Sequence, residues 1–318
     1  MKFHYYLLIN PTAGGGNGKK VGKQITTLLE QKQQLFTILE TKYHLHEIKL
    51  INKLIPTILT PWSVQAKQSQ APFPLLIVIG GDGTLHQVVN SIPNQIPIAY
   101  IPAGSGNDFA RSLKLLQTPA KMLENILQTT KPREVNLLSA RQQNDNIHSF
   151  CVNNIGIGLD AAIVHATNHS TAKQQLYKYN ISSLTYIRSA LRALFKQKGF
   201  PITIKCNNQS YYFKQAFLCT ITNHPYFGGG INIAPMANIH EAQMDLMIVE
   251  RLPMFKIFYL IVLLLLQKHT RSKYFHHFKA KNIQLSSPTR QFLQKDGEDS
   301  DKAAYDFTFS TTEQFFWF

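Results

Sequence analysis

In Gly80-Gly81-Asp82-Gly83-Thr84, one carboxylate and one hydroxyl stand among three glycines. Leu75 to Ile79 before it reads as a buried strand, and Leu85 to Asn90 after it can open a helix. A strand, a glycine turn and a helix N-terminus leave backbone N–H groups unpaired at the positive end of a helix dipole, which is an anion site. Glycine lets that backbone approach a phosphate without a Cβ in the way. Asp82 would repel the phosphate unless a cation or a reacting hydroxyl lay between them, and phosphoryl transfer has that requirement.

Two further loops share this character. Tyr5 to Ile9 is strand-like and feeds Asn10-Pro11-Thr12-Ala13-Gly14-Gly15-Gly16-Asn17-Gly18-Lys19-Lys20. Ile96 to Ile101 feeds Pro102-Ala103-Gly104-Ser105-Gly106-Asn107-Asp108-Phe109-Ala110-Arg111. Ligands of open α/β sheets sit at the carboxyl ends of strands, so three such loops on one rim would build one site. One loop alone would read as a tight turn or a linker; three in succession do not. No G-x-x-x-x-G-K-[ST] phosphate loop is present, nor a G-x-G-x-x-G with an acid placed for a ribose. Backbone N–H groups around Gly14, Gly81 to Thr84 and Gly104 to Ser105 would cradle phosphates, helped by the hydroxyls of Thr84 and Ser105. Lys19 and Lys20 either reach the phosphates or open a helix as solvated lysines. Asp82 and Asp108 are the candidate Mg²⁺ ligands, directly or through water; the alternative for Asp108 is an ion pair with Arg111, one helical turn on. Asp296-Gly297-Glu298 sets two carboxylates around a flexible residue, either for chemistry or as an exposed acidic turn.

These loops resemble the bacterial diacylglycerol kinase family, itself similar to sphingosine, ceramide and NAD kinases. The matching residues are Asn10-Pro11-Thr12-Ala13-Gly14, Gly80 to Thr84, and Pro102 to Arg111. They continue in Asn154-Ile155-Gly156-Ile157-Gly158-Leu159-Asp160, Gly228 to Ala237, and Asp296-Gly297-Glu298. The Asn107-Asp108-Phe109-Ala110-Arg111 element is the one most specific to lipid kinases and argues against a soluble-nucleotide kinase. The resemblance implies nucleotide binding by Asn10, Pro11, Thr12, Ala13, Gly14, Thr41, Gly80, Gly81, Asp82, Gly83, Thr84, Gly104, Ser105 and Asn107. It implies catalysis by Asp82, Asp296 and Glu298, with Glu298 as proton acceptor and Asp296 holding water or metal. ATP and Mg²⁺ are the implied cofactors, and the implied reaction phosphorylates the hydroxyl of diacylglycerol or a related lipid to a phosphatidic-acid-like product. The chain departs from the family pattern at Ser105 (for Thr), at His86-Gln87 (for Asn-Glu), and at Glu241-Ala242-Gln243-Met244-Asp245 (for Asp-Gly-x-Leu-Asp). At the last of these the family binds a structural Mg²⁺. Glu241 offers carboxylate oxygens for that metal, with a longer side chain and a lost glycine. The alternatives are an NAD-kinase-like enzyme on a soluble substrate and a non-catalytic lipid or nucleotide sensor.

At 318 residues and 44% hydrophobic content, the chain can bury two domain cores. Its net charge of +15, from 33 basic and 18 acidic residues, calls for polyanionic partners. No nucleic-acid motif is found, so the expected partners are ATP, the lipid substrate and an anionic membrane surface; a homodimer is left open. Three scattered cysteines, Cys151, Cys206 and Cys219, fit no zinc spacing and no disulfide framework, as expected of a cytoplasmic protein. The first apolar run is too short for a signal peptide. The longest, Ile257 to Leu266, is half the length of a spanning helix. It reads as a core helix or, given Lys256, Lys268, His269, Arg271 and Lys273 around it, as a face against the inner side of the membrane.

These features predict a doubly wound parallel α/β domain over 1–131, NAD-kinase-like, then an antiparallel β-sandwich-like domain over 132–300 and a segment 301–318 returning to the first. Strands are expected at 3–9, 35–40, 75–79 and 97–101, and helices near 19–32, 44–59, 84–91, 107–114 and 119–129. Later strands are expected at 134–138, 149–153, 201–206, 211–222, 244–250, 282–285 and 303–309, and a helix at 173–198. The aromatic end Phe315-Phe316-Trp317-Phe318 is expected to dock on the first domain. Ile155 to Leu159 and Tyr226 to Ile231 are expected to line an acyl groove.

Overall fold

The apolar strand runs and the amphipathic helices between them fold, in a computed structural model that describes residues 2–63, 71–143, 147–169 and 190–318, into two units. Unit 1 holds Met1–Leu137, Gly228–Gly230 and Glu313–Phe318; unit 2 holds Leu138–Phe227 and Ile231–Thr312.

In unit 1, strands β1 (Phe3–Ile9), β2 (Leu35–Glu40), β3 (Phe73–Gly80) and β4 (Ile98–Pro102) are parallel in the order β4-β3-β1-β2. β1 and β3 pair without slippage from Phe3↔Phe73 to Ile9↔Ile79, so their following loops leave the sheet at one edge. Leu75 to Ile79 are completely buried because helices cover both faces, and such a strand is apolar throughout rather than alternating. Helices α1 (Ala13–Gln31) and α5 (Pro119–Gln128) set Val21, Ile25, Leu29, Met122, Leu123 and Ile126 against Leu75, Ile77 and Ile79. Leu76 and Val78 point the other way, where α3 (Asp82–Val89) follows β3 and packs with α2 (His46–Leu54). α2 starts later than expected because Leu45 takes a left-handed φ of 64°. α4 (Asp108–Ser112) is a single short turn.

The aromatic end returns to this unit as expected. Phe316 pairs with Ile98, and the Trp317 backbone N–H donates to the Ile98 carbonyl at 2.9 Å. The Trp317 indole is fully buried, donates to the Ile126 carbonyl at 3.0 Å and meets Phe3 and Trp62 edge-on.

Unit 2 is antiparallel. It contains β6 (His148–Cys151), β7 (Asn154–Gly158), β8 (Phe200–Cys206), β9 (Gln209–Thr222), the two-residue pair β10 (Tyr226–Phe227) and β11 (Ile231–Asn232), β12 (Met244–Glu250), β13 (Phe275–Ala280) and β14 (Ile283–Lys295). Helix α6 (Leu159–Asn168) follows β7 directly. Two strands carry residues of both units: β5 (Arg133–Gln142) and β15 (Glu298–Phe316). The long β9 pairs with β8 along its first half and with β7 and β12 along its second. β14 and β15 are far longer than the strands expected at 282–285 and 303–309. Their pairing shifts register between Ser287 and Gln291, around Pro288, which has no N–H to give the ladder. The position 300/301, read as a domain boundary in the sequence, falls inside β15.

Two regions differ from the sequence reading. Ile155 and Ile157, expected to line a groove, are each 1% exposed and sit in the unit 2 core with Phe200, Ile202, Phe213 and Cys219. The run Ile257 to Leu266 forms helix α7 (Met254–Leu265), which buries only Ile257 and Leu260. Phe255, Tyr259, Val262, Leu265 and Leu266 are exposed, so it is a surface helix rather than a core one. Of the helix expected at 173–198, only 190–198 lie within the described residues; 190–196 are helical, and Leu176, Leu184 and Ile187 fall outside. No described helix is long and apolar enough to cross a membrane.

Candidate active site

The three glycine loops of unit 1 are bonded to one another. Asn10 donates through its amide to the Thr84 hydroxyl at 2.9 Å, while its Oδ1 accepts from the backbone and hydroxyl of Thr12 at 3.2 and 2.9 Å. The Asn17 amide donates to the Ala103 carbonyl at 3.3 Å, and the Ala103 N–H to the Gly80 carbonyl at 2.7 Å. Thr41, just past β2, is buried and donates its N–H to the Ile9 carbonyl at 2.9 Å. The first loop therefore touches both others, through residues that the loop pattern singled out.

Glycine is required here by contact as well as by conformation. A Cβ on Gly14 would come within 2.3 Å of the Ala103 carbonyl, and its φ of 58° is left-handed. A Cβ on Gly104 would lie 2.7 Å from the Gly81 Cα. With Gly15 and Gly16 also at positive φ, α1 becomes regular only beyond them. Asn107 closes its own loop: its Oδ1 accepts from the Gly104 N–H at 3.0 Å and its amide donates to the Gly104 carbonyl at 2.8 Å. Pro11, Ala13, Gly81 and Gly83 are half-buried along the rim, while Thr12 and Ser105 are exposed. At α3 the N-cap residue is Gly81, which has no side chain to cap the first turn, so the helix opens on a glycine as an anion-binding N-terminus requires.

Asp82 opens α3 and is half-buried. Its Oδ2 accepts the Asp108 backbone N–H at 3.0 Å and its Oδ1 accepts the Tyr100 hydroxyl at 3.2 Å. Burial, then the Asp82 charge, pushes the Tyr100 phenol well above its ordinary pKa, so it stays a donor. A carboxylate at this place, beside the glycine loops, is the hard oxygen donor that a cation such as Mg²⁺ takes. Asp108 does not suit one. It is 5% exposed, its Oδ2 accepts the Gly229 N–H at 2.7 Å, and Oδ1 lies 3.7 Å from Arg111 Nε. Burial raises its pKa against the Gly229 N–H and the Arg111 charge. The structure thus replaces a metal role for Asp108 with the Arg111 pair and with anchoring of Gly228–Gly230, three residues at positive φ.

In unit 2, Asp296-Gly297 is the two-residue turn joining β14 and β15, with φ of 50° and 87°, as a tight hairpin demands. The Asp296 carboxylate accepts the backbone N–H groups of Val152, Asn153 and Asn154 at 2.7, 2.8 and 3.1 Å. Through these three bonds the carboxylate braces the turn. Glu298 is exposed and its carboxylate makes no hydrogen bond or ion pair among the described residues, which leaves it free to accept a proton. Glu241 is a correction. Its carboxylate is 2.6 Å from the Lys279 ammonium and 3.1 Å from the Asn238 amide, and the Lys279 bond lowers its pKa. Asp245, four residues on, is 2.6 Å from His277. A lysine thus engages the Glu241 carboxylate, while the buried Oδ2 of Asp245 makes no hydrogen bond among the described residues.

Sequence reasoning missed the reason for Asn154-Ile155-Gly156-Ile157-Gly158-Leu159-Asp160. Asp160 is 2% exposed, and its Oδ2 accepts from Asn154 at 3.1 Å, Thr220 at 2.9 Å and Gln294 at 2.9 Å. Burial outweighs these bonds and lifts its pKa to about 6. A Cβ on Gly156 would sit 1.7 Å from that oxygen, so the glycine makes room for the acid. The signal was the Gly-to-Asp spacing. Lys295 was also missed: burial lowers its pKa, and its ammonium donates to Ser149 Oγ at 2.7 Å.

Known proteins align along most of the chain. Residues 4–140 match the diacylglycerol kinase catalytic domain, and residues 153–310 match the YegS C-terminal NAD kinase beta sandwich-like domain. The chain is 30% identical over 302 residues to the "Putative lipid kinase YtlR" of Bacillus subtilis, covering 93% of each. It is 25% identical over 238 residues to a diacylglycerol kinase of Staphylococcus saprophyticus, covering 73% of each. Its fold is similar to that of a "putative diacylglycerol kinase from Bacillus anthracis str. Sterne", with a TM-score of 0.75, 23% identity, and 100% and 96% of the two chains covered. It is also similar to an Archaeoglobus fulgidus NAD kinase solved in complex with ATP, with a TM-score of 0.52, 11% identity, and 99% and 94% covered.

Proposed function

Since the chain belongs to the bacterial diacylglycerol kinase family, we propose that it is an ATP- and Mg²⁺-dependent lipid kinase that phosphorylates the hydroxyl of diacylglycerol or a related lipid. The observation that carries this reading is the bonded set of three glycine loops at the carboxyl edge of the unit 1 sheet. Their N–H groups and the N-terminus of α3 bind phosphate oxygens, and the close Gly81–Gly104 approach, which has no room for a Cβ on Gly104, holds the two loops together. Asp82 would hold the Mg²⁺, which when bound neutralises phosphate charge. Tyr100 and the Asp108 N–H orient that carboxylate. Glu298 accepts the hydroxyl proton as the lipid oxygen forms its bond to phosphorus and the bond to the departing diphosphate breaks.

A lipid acceptor requires access to a bilayer. The exposed apolar residues of α7 with Lys256, Lys268, Arg271 and Lys273 suit peripheral binding to the anionic inner face of the membrane. The test is transfer of labelled γ-phosphate from ATP to lipids in mixed micelles. Organic-phase label that is lost in Asp82→Ala and Glu298→Gln supports the reading. Label confined to the aqueous phase, as on a soluble nucleotide, refutes it.

A further inference from the structure

Away from the glycine loops, one cluster in unit 2 brings nitrogen and oxygen donors to a point. His165 lies in the last turn of α6, and His169 follows that helix directly, four residues on. His165 Nδ1 is 2.6 Å from Asp299 Oδ2, and His169 Nε2 is 3.1 Å from the same oxygen. The three candidate donor atoms all lie within 4.8 Å of one another. Tetrahedral ligands held at about 2.0–2.1 Å from one ion stand about 3.3 Å apart, so the cluster needs only small side-chain movements to close on a cation.

The surroundings favour that occupancy. The Asn168 amide donates to Asp299 Oδ1 at 2.6 Å and to the Gly297 carbonyl at 3.0 Å. It occupies one carboxylate oxygen and leaves the other facing both imidazoles, an arrangement that orients metal ligands. Phe292 stacks on His165 with ring centroids 4.0 Å apart and fixes that ring's plane. The carbonyl end of α6 adds negative potential at the same place. His169 is 64% exposed, which leaves a side open for water as a fourth ligand.

We propose that His165, His169 and Asp299 bind one divalent cation of the Zn²⁺ class, and that the ion fastens the end of α6 to the start of β15, just past the turn from β14. Two imidazoles and one carboxylate are a borderline donor set that favours Zn²⁺ over Mg²⁺ or Ca²⁺. Such a site is independent of the kinase reading, and its test needs no activity.

The full-length protein, stripped of metal, is titrated with ZnCl₂ by calorimetry and with CoCl₂ by visible absorption. The expected result is one strong site per chain and cobalt ligand-field bands. Both weaken at least tenfold in His169→Gln and in Asp299→Asn, and neither changes in His148→Gln. His169 is a surface residue, so its variant folds whatever the fate of the others. Saturating Zn²⁺ should also slow amide exchange at 165–169 and 296–299 in the wild type but not in His169→Gln. Absence of a strong site, or Zn²⁺ affinity undiminished in His169→Gln and Asp299→Asn, overturns the proposal. Stoichiometric binding that leaves exchange in both segments unchanged overturns the fastening.

Discussion

Replacing Asp160 with Asn should change how stability depends on pH, in a direction the structure fixes. The folded pKa of Asp160, about 6, lies above its ordinary 3.8 because burial disfavours the carboxylate. Its contribution to stability is fully present below about pH 3.8 and is lost as pH rises through about 6. At about 1.4 kcal/mol for each tenfold change in proton affinity, the full loss is about 3 kcal/mol, of which about 2 kcal/mol falls between roughly pH 4.5 and 7.5. Asn keeps an acceptor for Asn154, Thr220 and Gln294 but cannot ionise. The wild type should therefore lose about 2 kcal/mol relative to Asp160→Asn over that window. The assay must see unit 2. Both tryptophans, Trp62 and Trp317, belong to unit 1, so their fluorescence serves as the internal control. Urea unfolding followed by far-ultraviolet circular dichroism, with hydrogen exchange along β9, reports on the site. A difference between variant and wild type that stays flat with pH would refute the reasoning, since it would mean that the three donors compensate the buried charge in full.

His224 should behave in the opposite sense. Burial lowers its pKa to about 4 from 6.5, so its contribution is present above about pH 6.5 and is lost as pH falls toward 4; circular dichroism of His224→Gln should show a wild-type loss of about 2.5 kcal/mol from roughly pH 7.5 to 4.5. Gly104→Ala forces a Cβ to within 2.7 Å of the Gly81 Cα. It should raise the KM for ATP at least tenfold with little change in the unfolding midpoint, and an unchanged KM would mean that the loop contact does not shape the phosphate site. Trp317→Ala leaves a cavity among Phe3, Trp62 and Ile126, and should cost unit 1 about 3–5 kcal/mol in urea unfolding. Phe255→Asp with Leu265→Asp should abolish sedimentation with anionic vesicles without shifting the melting midpoint, because both side chains are exposed.

The opposite signs of Asp160 and His224 explain why the wild type alone is a poor test. Over the same window one group gains about what the other loses, so their sum is nearly flat while each variant exposes one slope. The burial of neither group was legible in the sequence, although Asp160 closes one of the matching motifs. Neither an aspartate at the end of Asn-x-Gly-x-Gly-x-Asp nor a histidine after a strand announces its burial.

The parallel sheet of unit 1 was legible because Leu75 to Ile79 and Ile98 to Ile101 are apolar without alternation and lead into glycine loops. Chain ends and strand lengths were less so. β14 and β15 continue well past the apolar core into polar residues, since a ladder hydrogen-bonds backbone regardless of side chain. α7 misled for the converse reason. A run such as Ile257 to Leu266 has no polar face to set a period, so composition could not separate a buried helix from an exposed one.

Motif spacing marked Asp82, Asp108, Asp296 and Glu298 as chemically notable and left Asp160 in a matching stretch without a role, but the residue type could not say what each faces. Asp296 accepts three backbone N–H groups, Asp160 three side-chain donors, and Asp108 the Gly229 N–H beside Arg111. A carboxylate that accepts backbone or side-chain donors from neighbouring elements holds those elements in place. Asp82 opens α3 beside the glycine loops, and the Glu298 carboxylate makes no hydrogen bond or ion pair among the described residues. Chemistry should accordingly concentrate in these two, and amide variants should separate the classes. A weaker acceptor at Asp108, in Asp108→Asn, should lower kcat by less than Asp82→Asn does, because the amide can still receive the Gly229 N–H while the Asp82 charge has no substitute. Equal losses in kcat for the two variants would show that Asp108 takes part in the reaction itself rather than in holding the loop that Gly229 anchors.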